Sequence, residues 1–252
     1  MNILILGGTG YIGKILNEFL NNRGHKVVSI GQHTEKSFKI GEELNEDYLT
    51  SVHYVFYLAW LSDTKNNMYK DLNIKSLINI VNKCNQRNIE LIFFSTLLAS
   101  ETSKSLYNST KAKCEKITIE NSYKVVRLGS VIIDGYNLEG FYGYLKNFAE
   151  KYRVFPIIYP DKKIFHKTGN KELTNFANNF EKLNKNITSL VDKKAVSLRE
   201  ILEIKKNNVL LIPTHWRILY LLIRFIEIFP IKATFRSDSL LSIWGRPNKE
   251  KI

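Results

Sequence analysis

No proline occurs in the first 155 residues of this 252-residue chain, and all five prolines fall between Pro156 and Pro247. Proline removes a backbone donor and interrupts helices and central strands, so its absence leaves the first part free to build regular elements. Its arrival marks a change of architecture. Cysteine is nearly missing too: Cys84 and Cys114 are the only two, both in stretches that read as helix and without metal-ligand spacing. That excludes a disulfide framework and a zinc module, predicts no metal site, and suits reduced core residues in a cytoplasmic protein. With 44% hydrophobic and 24% charged residues, the chain has no disordered window and is expected to form one compact unit.

Long apolar runs free of charge are also missing. The most apolar stretch, Val209 to Lys232, is interrupted by His215, Arg217, Arg224 and Glu227 and bracketed by Pro213 and Pro230, which excludes a membrane span. Burial against the C-terminal part is the expectation there, with a self-association surface or an interfacial helix as the other readings. Ile3 to Leu6 is too short for a signal-peptide core, so no cleavable leader is expected. Although the net charge is +13, no basic run exceeds three residues and no basic helix face is interleaved with aromatics. Nucleic acid is therefore not the expected partner, and the charge is read as attraction for an anionic small molecule such as a nucleotide diphosphate.

What is present is regular. Met1-Asn2-Ile3-Leu4-Ile5-Leu6 runs into Gly7-Gly8-Thr9-Gly10-Tyr11-Ile12-Gly13 and then the helix-like Lys14 to Arg23. Strand, glycine-rich turn and helix, in that order, are what holding a dinucleotide requires: Gly7 permits the turn, Gly10 admits the pyrophosphate and Gly13 packs the helix on its strand. The helix N-terminus then offers free N–H groups to the phosphates. Further short apolar strands are predicted at Lys26 to Ile30, Val55 to Ala59, Ile89 to Ser95 and Tyr123 to Leu128. Helices are predicted at Asn67 to Gln86 and Tyr107 to Asn121. Alternation of this kind predicts an α/β fold, a Rossmann-type doubly wound parallel sheet over residues 1–135. The looser remainder, residues 136–252, is expected to be a smaller substrate-binding lobe, with room for part of it to return to the sheet.

Tyr107 and Lys111, four residues apart, share one helix face. Tyr142 with Lys146 and Tyr159 with Lys163 match the same spacing. Position separates them, because only Tyr107 follows a buried strand that delivers Ser95 and Thr96 at its carboxyl end, the edge where open α/β sheets bind ligands.

These motifs resemble the short-chain dehydrogenase/reductase superfamily, in its extended or atypical branch of nucleotide-sugar epimerases, dehydratases and reductases. The resemblance covers about residues 1 to 135. Val55-Phe56-Tyr57-Leu58-Ala59 is similar to the family's fourth strand, whose end lines the cofactor; Asn73-Ile74 sits in the helix after it; and Val125 to Gly129 resembles the strand leading to the substrate lobe. It implies that Tyr107 exchanges the proton, Thr96 hydrogen-bonds the reacting oxygen and Lys111 holds the nicotinamide ribose. Gly7, Thr9, Gly10, Tyr11, Ile12, Gly13, Gln32, His33, Leu58, Ala59 and Lys111 are the implied cofactor contacts. Since a tyrosine near pKa 10 is a poor base at neutral pH, a lysine ammonium and an oxidised nicotinamide are expected to lower it.

Three departures refine the implication. Leu97-Leu98 stand where family dehydratases carry an acidic pair, so dehydration is disfavoured. The interval from Thr96 to Tyr107 is shorter than the family's usual loop. The second strand ends at Gly31-Gln32 without an acid for a ribose 2′-hydroxyl, while His33 and Lys36 are donors for a 2′-phosphate, so NADP(H) is preferred over NAD(H). The implied activity is an NAD(P)H-dependent reductase of a keto nucleotide-activated deoxysugar, with an epimerase or a non-catalytic NADP(H) sensor as the alternatives. Arg236 and Arg246 are candidate pyrophosphate contacts. A homodimer is plausible by resemblance.

Overall fold

The computed structural model describes residues 1–32, 37–138, 140–159, 164–204, 209–228 and 237–245. Its centre is a six-stranded parallel sheet in the order β2-β1-β3-β4-β5-β9, formed by β1 (Asn2–Leu6), β2 (Lys26–Ile30), β3 (Tyr54–Tyr57), β4 (Glu90–Thr96), β5 (Lys124–Leu128) and β9 (Ile187–Leu190). Chain order reverses between β1 and β3, opening a crevice at their carboxyl ends. Val55 to Tyr57 is thus the third strand of this chain; among the described residues beyond β2, only the isolated bridge Gly31 to Ser37 adds to that edge.

Alternate side chains of these strands feed two cores, as the period of two demands. Leu4, Leu6, Val55, Tyr57, Leu91, Phe93 and Val125 face α2 (Tyr69–Arg87) and α3 (Leu106–Glu120), where Leu77, Ile80, Cys84 and Cys114 complete the packing. Ile3, Ile5, Phe56, Ile92, Phe94 and Val126 face α1 (Tyr11–Asn21) and α5 (Asn170–Asn179), meeting Ile15, Leu16, Leu20, Leu173 and Phe176. Both cysteines are free and buried, the thiols acting as small apolar groups.

The C-terminal half contributes to both regions. Helix α5 and strand β9 belong to the main sheet and its second core, whereas the remaining elements build a lobe around a third core. That lobe holds β6 (Ser130–Val131), α4 (Gly140–Tyr152), β7 (Val154–Tyr159), β8 (Phe165–Thr168), β10 (Ala195–Val196), α6 (Leu198–Ile201), β11 (Leu210–His215), α7 (Trp216–Ile226) and α8 (Ser237–Trp244). Strands β10, β8 and β6 form one small sheet, and β11 pairs in parallel with β7 in another.

The apolar stretch after Val209 departs from expectation. It forms β11 and α7, but only Ile223 of the helix is buried, while Ile218, Leu221, Leu222, Phe225 and Ile228 are exposed. The lobe covers one face of α7, and the opposite face is apolar as well. No described helix is long and apolar enough to cross a membrane.

Candidate active site

Gly7 leaves β1 with φ +89°, a conformation open to glycine, and its N–H donates to Ile30 O at 2.9 Å. The backbone is packed so closely here that a Cβ on Gly7 would lie 2.6 Å from Ala59 N. The glycine turn and the end of β3, Leu58 and Ala59, therefore form one wall. Gly13, in the first turn of α1, allows a second close approach: its Cβ would meet Gly7 O at 2.4 Å. Helix α1 begins at Tyr11 and Ile12 with Gly10 at its N-cap and no side chain capping it, the kind of helix N-terminus whose backbone N–H groups suit phosphate oxygens. Gln32 follows β2 and is exposed; His33 and Lys36 lie outside the described residues. A glycine-rich turn leading into an uncapped helix N-terminus is the arrangement that suits the phosphates of a dinucleotide.

Strand β4 carries Thr96 to the carboxyl edge, where its Oγ1 accepts from Leu98 N at 3.3 Å and keeps its own proton free to donate. Neighbouring Ser95 is buried, and its hydroxyl has no partner among the described residues. A cavity of about 480 Å³ opens beyond this edge. Thr96, Leu97, Leu98 and Tyr107 line it from the sheet side, and Ser130, Tyr142, His166, Asp238, Ser239 and Ser242 from the lobe. Thr96 and Tyr107 are thus brought together, as the resemblance implies. Tyr142, one of the other tyrosines at the four-residue spacing, lines the same cavity, with its hydroxyl 2.5 Å from Ser130 Oγ.

Lys111 is placed differently. It does not line the cavity: its buried Nζ donates to Phe94 O at 2.8 Å and stands 3.9 Å from the Trp60 ring centroid and 4.7 Å from that of Phe93. Burial opposes the charge and pulls the ammonium down to about 7, against which the aromatic faces favour the cation. Trp60 is fixed in turn, donating from Nε1 to Tyr69 Oη at 2.8 Å and meeting the Tyr107 ring edge-on at 5.9 Å. Asn73 anchors the adjoining loop, accepting from Leu61 N at 3.0 Å and donating to Tyr69 O at 2.9 Å. These partners of Lys111 were not legible in sequence, because Trp60 and the Phe94 carbonyl meet it only once the sheet and α3 are packed.

Asp238 is the second residue that sequence reasoning misses. From α8 it reaches the start of α3, accepting from Ser105 Oγ at 2.8 Å, Leu106 N at 2.8 Å and Tyr107 N at 3.3 Å. Below it, Asn108 and Ser242 exchange hydrogen bonds at 3.1 Å in both directions. A carboxylate there satisfies the unpaired N–H groups and the positive end of the helix dipole. It also disfavours a tyrosinate next to it. Burial first, and Asp238 second, push Tyr107 up to about 12, so the expected depression is absent from the chain by itself. The physical reason is that Lys111's charge is engaged by Phe94 and Trp60, while the nearest strong field at Tyr107 is negative. Arg236 and Arg246 lie outside the described residues.

Residues 3–128, half of the chain, match the family profile described as the NAD dependent epimerase/dehydratase family. The chain belongs to that family. No curated protein matches it by sequence. Among solved structures, similarity extends over 85% of this chain to an NAD-dependent NDP-hexosamine 5,6-dehydratase involved in tunicamycin biosynthesis, covering 85% of that chain at TM-score 0.68 and 17% identity. The UDP-N-acetylglucosamine 4-epimerase from Bacillus cereus is similar over 85% of this chain and 86% of its own, at TM-score 0.64 and 17% identity. The ADP-L-glycero-D-manno-heptose-6-epimerase of Helicobacter pylori matches over 85% of both chains at TM-score 0.66 and 15% identity. At such identities the likeness establishes that this family member has their fold.

Proposed function

We propose that this family member is an NAD(P)H-dependent reductase of a keto nucleotide-activated deoxysugar, a 4-ketoreductase in the synthesis of surface-polysaccharide sugars. The observation that carries the reading is one cavity in which Thr96 and Tyr107 meet beside two leucines. Names of the structural relatives supply the substrate class, since they act on nucleotide-linked hexosamines and heptoses. NADP(H) is the preferred cofactor.

When bound, the reduced nicotinamide supplies a hydride to the carbonyl carbon. Thr96 Oγ1 donates to the carbonyl oxygen and orients it, and Tyr107 delivers its phenolic proton to that oxygen as negative charge develops there. At neutral pH Tyr107 carries its phenolic proton and can donate it, as the reducing direction requires. Leu97 and Leu98 exclude water beside the reacting carbon and offer no second acid or base for eliminating water. Lys111, with a carbonyl partner and two aromatic faces, fixes the floor beneath the tyrosine.

Oxidation of NADPH and NADH by the purified protein, against a panel of 4-keto-6-deoxy nucleotide sugars, tests the reading. Stoichiometric cofactor consumption that disappears in Tyr107→Phe supports it. Interconversion of sugar epimers without net consumption would make the protein an epimerase instead, and no turnover of any member of the panel would contradict it.

A further inference from the structure

Helix α7 has two apolar faces, and the protein uses only one. Trp216, Leu219, Tyr220 and Ile223, at the spacing i, i+3, i+4, i+7, pack into the core of the lobe. Ile218, Leu221, Leu222 and Phe225 repeat the same spacing on the other side, one register step away, and Ile228 extends the row. Leu221 is 64% exposed, Phe225 62% and Ile228 75%. Immediately before the helix, Leu210 and Ile212 of β11 are exposed as well. An apolar patch of this extent on a monomer marks a surface that is covered in use.

Charge identifies what covers it. Residues 140–252 contain 21 lysines and arginines against 10 acids, a net +11, whereas residues 1–139 contain 16 against 14, a net +2. The positive charge is thus concentrated in the half of the sequence that carries α7, although α5 and β9 of that half belong to the main sheet. On the helix, Arg217 and Arg224 are exposed one heptad apart, Arg224 standing 3.8 Å from the Glu227 carboxylate. A second copy would bring two such strongly positive halves together, which repulsion opposes. A nucleic acid would meet the charge but leave a row of leucine, isoleucine and phenylalanine in water. An anionic bilayer surface matches both: phosphate headgroups face the arginines while the apolar row enters the headgroup and acyl boundary. At 11 residues the helix is about 16 Å long, too short to cross and suited to lie flat.

We propose that α7 is an interfacial docking helix that holds this protein on an anionic lipid surface through Ile218, Leu221, Leu222 and Phe225, with Arg217 and Arg224 on the headgroups. The active-site cavity is lined by other elements, including α8, so docking leaves the chemistry in place and sets where it happens.

Flotation of the full-length protein with vesicles tests this, comparing phosphatidylcholine alone with an equal mixture of phosphatidylglycerol and phosphatidylcholine. Wild type is expected to float with the mixed vesicles and not with phosphatidylcholine, and to be released at high salt. The double variant Leu221→Glu, Phe225→Glu changes only exposed positions; it should keep the wild-type thermal midpoint and lose at least about tenfold in vesicle affinity. Absence of wild-type binding to the mixed vesicles overturns the proposal. So does equal binding by the double variant. A wild-type dimer in sedimentation that the double variant dissolves, without vesicle binding, would assign the face to a second copy instead.

Discussion

The carboxylate of Asp238 accepts a hydrogen bond from the backbone N–H of Tyr107 across 131 residues of sequence. It thereby ties the last described helix to the first turn of the helix bearing the proposed proton donor. Asp238→Asn removes the charge and one of the two acceptor oxygens. We expect the Tyr107 pKa, which burial and then Asp238 push up, to move down, because a tyrosinate no longer faces a carboxylate. Carbon NMR of ring-labelled tyrosine, assigned with Tyr107→Phe, reads this directly. The same variant should lose about 1 to 2 kcal/mol of stability, since donors at the start of α3 are left short of an acceptor. An unchanged titration would show that burial alone sets the tyrosine.

Tyr107→Phe keeps the ring and its contact with Trp60 but removes the transferable proton. Turnover on the accepted keto sugar is expected to fall by about 10² to 10⁴ in kcat, with cofactor affinity unchanged. Stopped-flow cofactor oxidation and fluorescence titration separate the two quantities. A parallel loss of cofactor affinity would place the tyrosine in binding rather than in proton transfer.

Gly13→Ala places a methyl 2.4 Å from Gly7 O and 2.6 Å from Gly8 Cα, both backbone atoms that cannot swing aside. The glycine turn must shift, at a cost of about 1 to 3 kcal/mol in stability. Nicotinamide-dinucleotide affinity should fall by at least about tenfold, because the turn is the cradle itself. Gly24→Ala is the control for the affinity reading: at φ +78° it also costs stability, but its Cβ meets no heavy atom within 4 Å.

Lys111 makes stability depend on pH in a defined sense. Burial lowers its pKa from the ordinary 10.5 to about 7, so between those values the unfolded chain binds more protons than the folded one. Stability from this group therefore rises as pH increases from about 7 towards 10.5 and is flat below 7. Urea unfolding across that window should show wild type gaining on Lys111→Met as pH rises. A constant difference would mean that Trp60 and Phe93 hold the cation fully against desolvation.

Legibility in sequence followed the range of the interactions. Strand, glycine turn and helix at the N-terminus are local, and Ile3 to Leu6, Gly7 and Gly13 announced them through apolar runs and conformational need. The strand ending in Thr96 and the helix bearing Tyr107 and Lys111 were likewise readable, because each is set by a short pattern. The apolar row of α7 was visible too, but its fate was not: hydrophobicity says that a residue favours leaving water, and not whether its own chain has enough mass nearby to cover it.

The amino-acid sequence by itself thus determined the parallel α/β architecture, the glycine turn between β1 and α1 and the chemical character of the residues at the strand ends, since these follow from backbone sterics and periodicity within a dozen residues. Only the tertiary structure decided that α5 and β9 return to the main sheet, that Phe94 and Trp60 sequester the Lys111 ammonium, that Asp238 caps the Tyr107 helix, and that one face of α7 stays bare. Each of these depends on which segments meet after the chain has closed loops of tens to more than a hundred residues, and no local pattern encodes such a meeting.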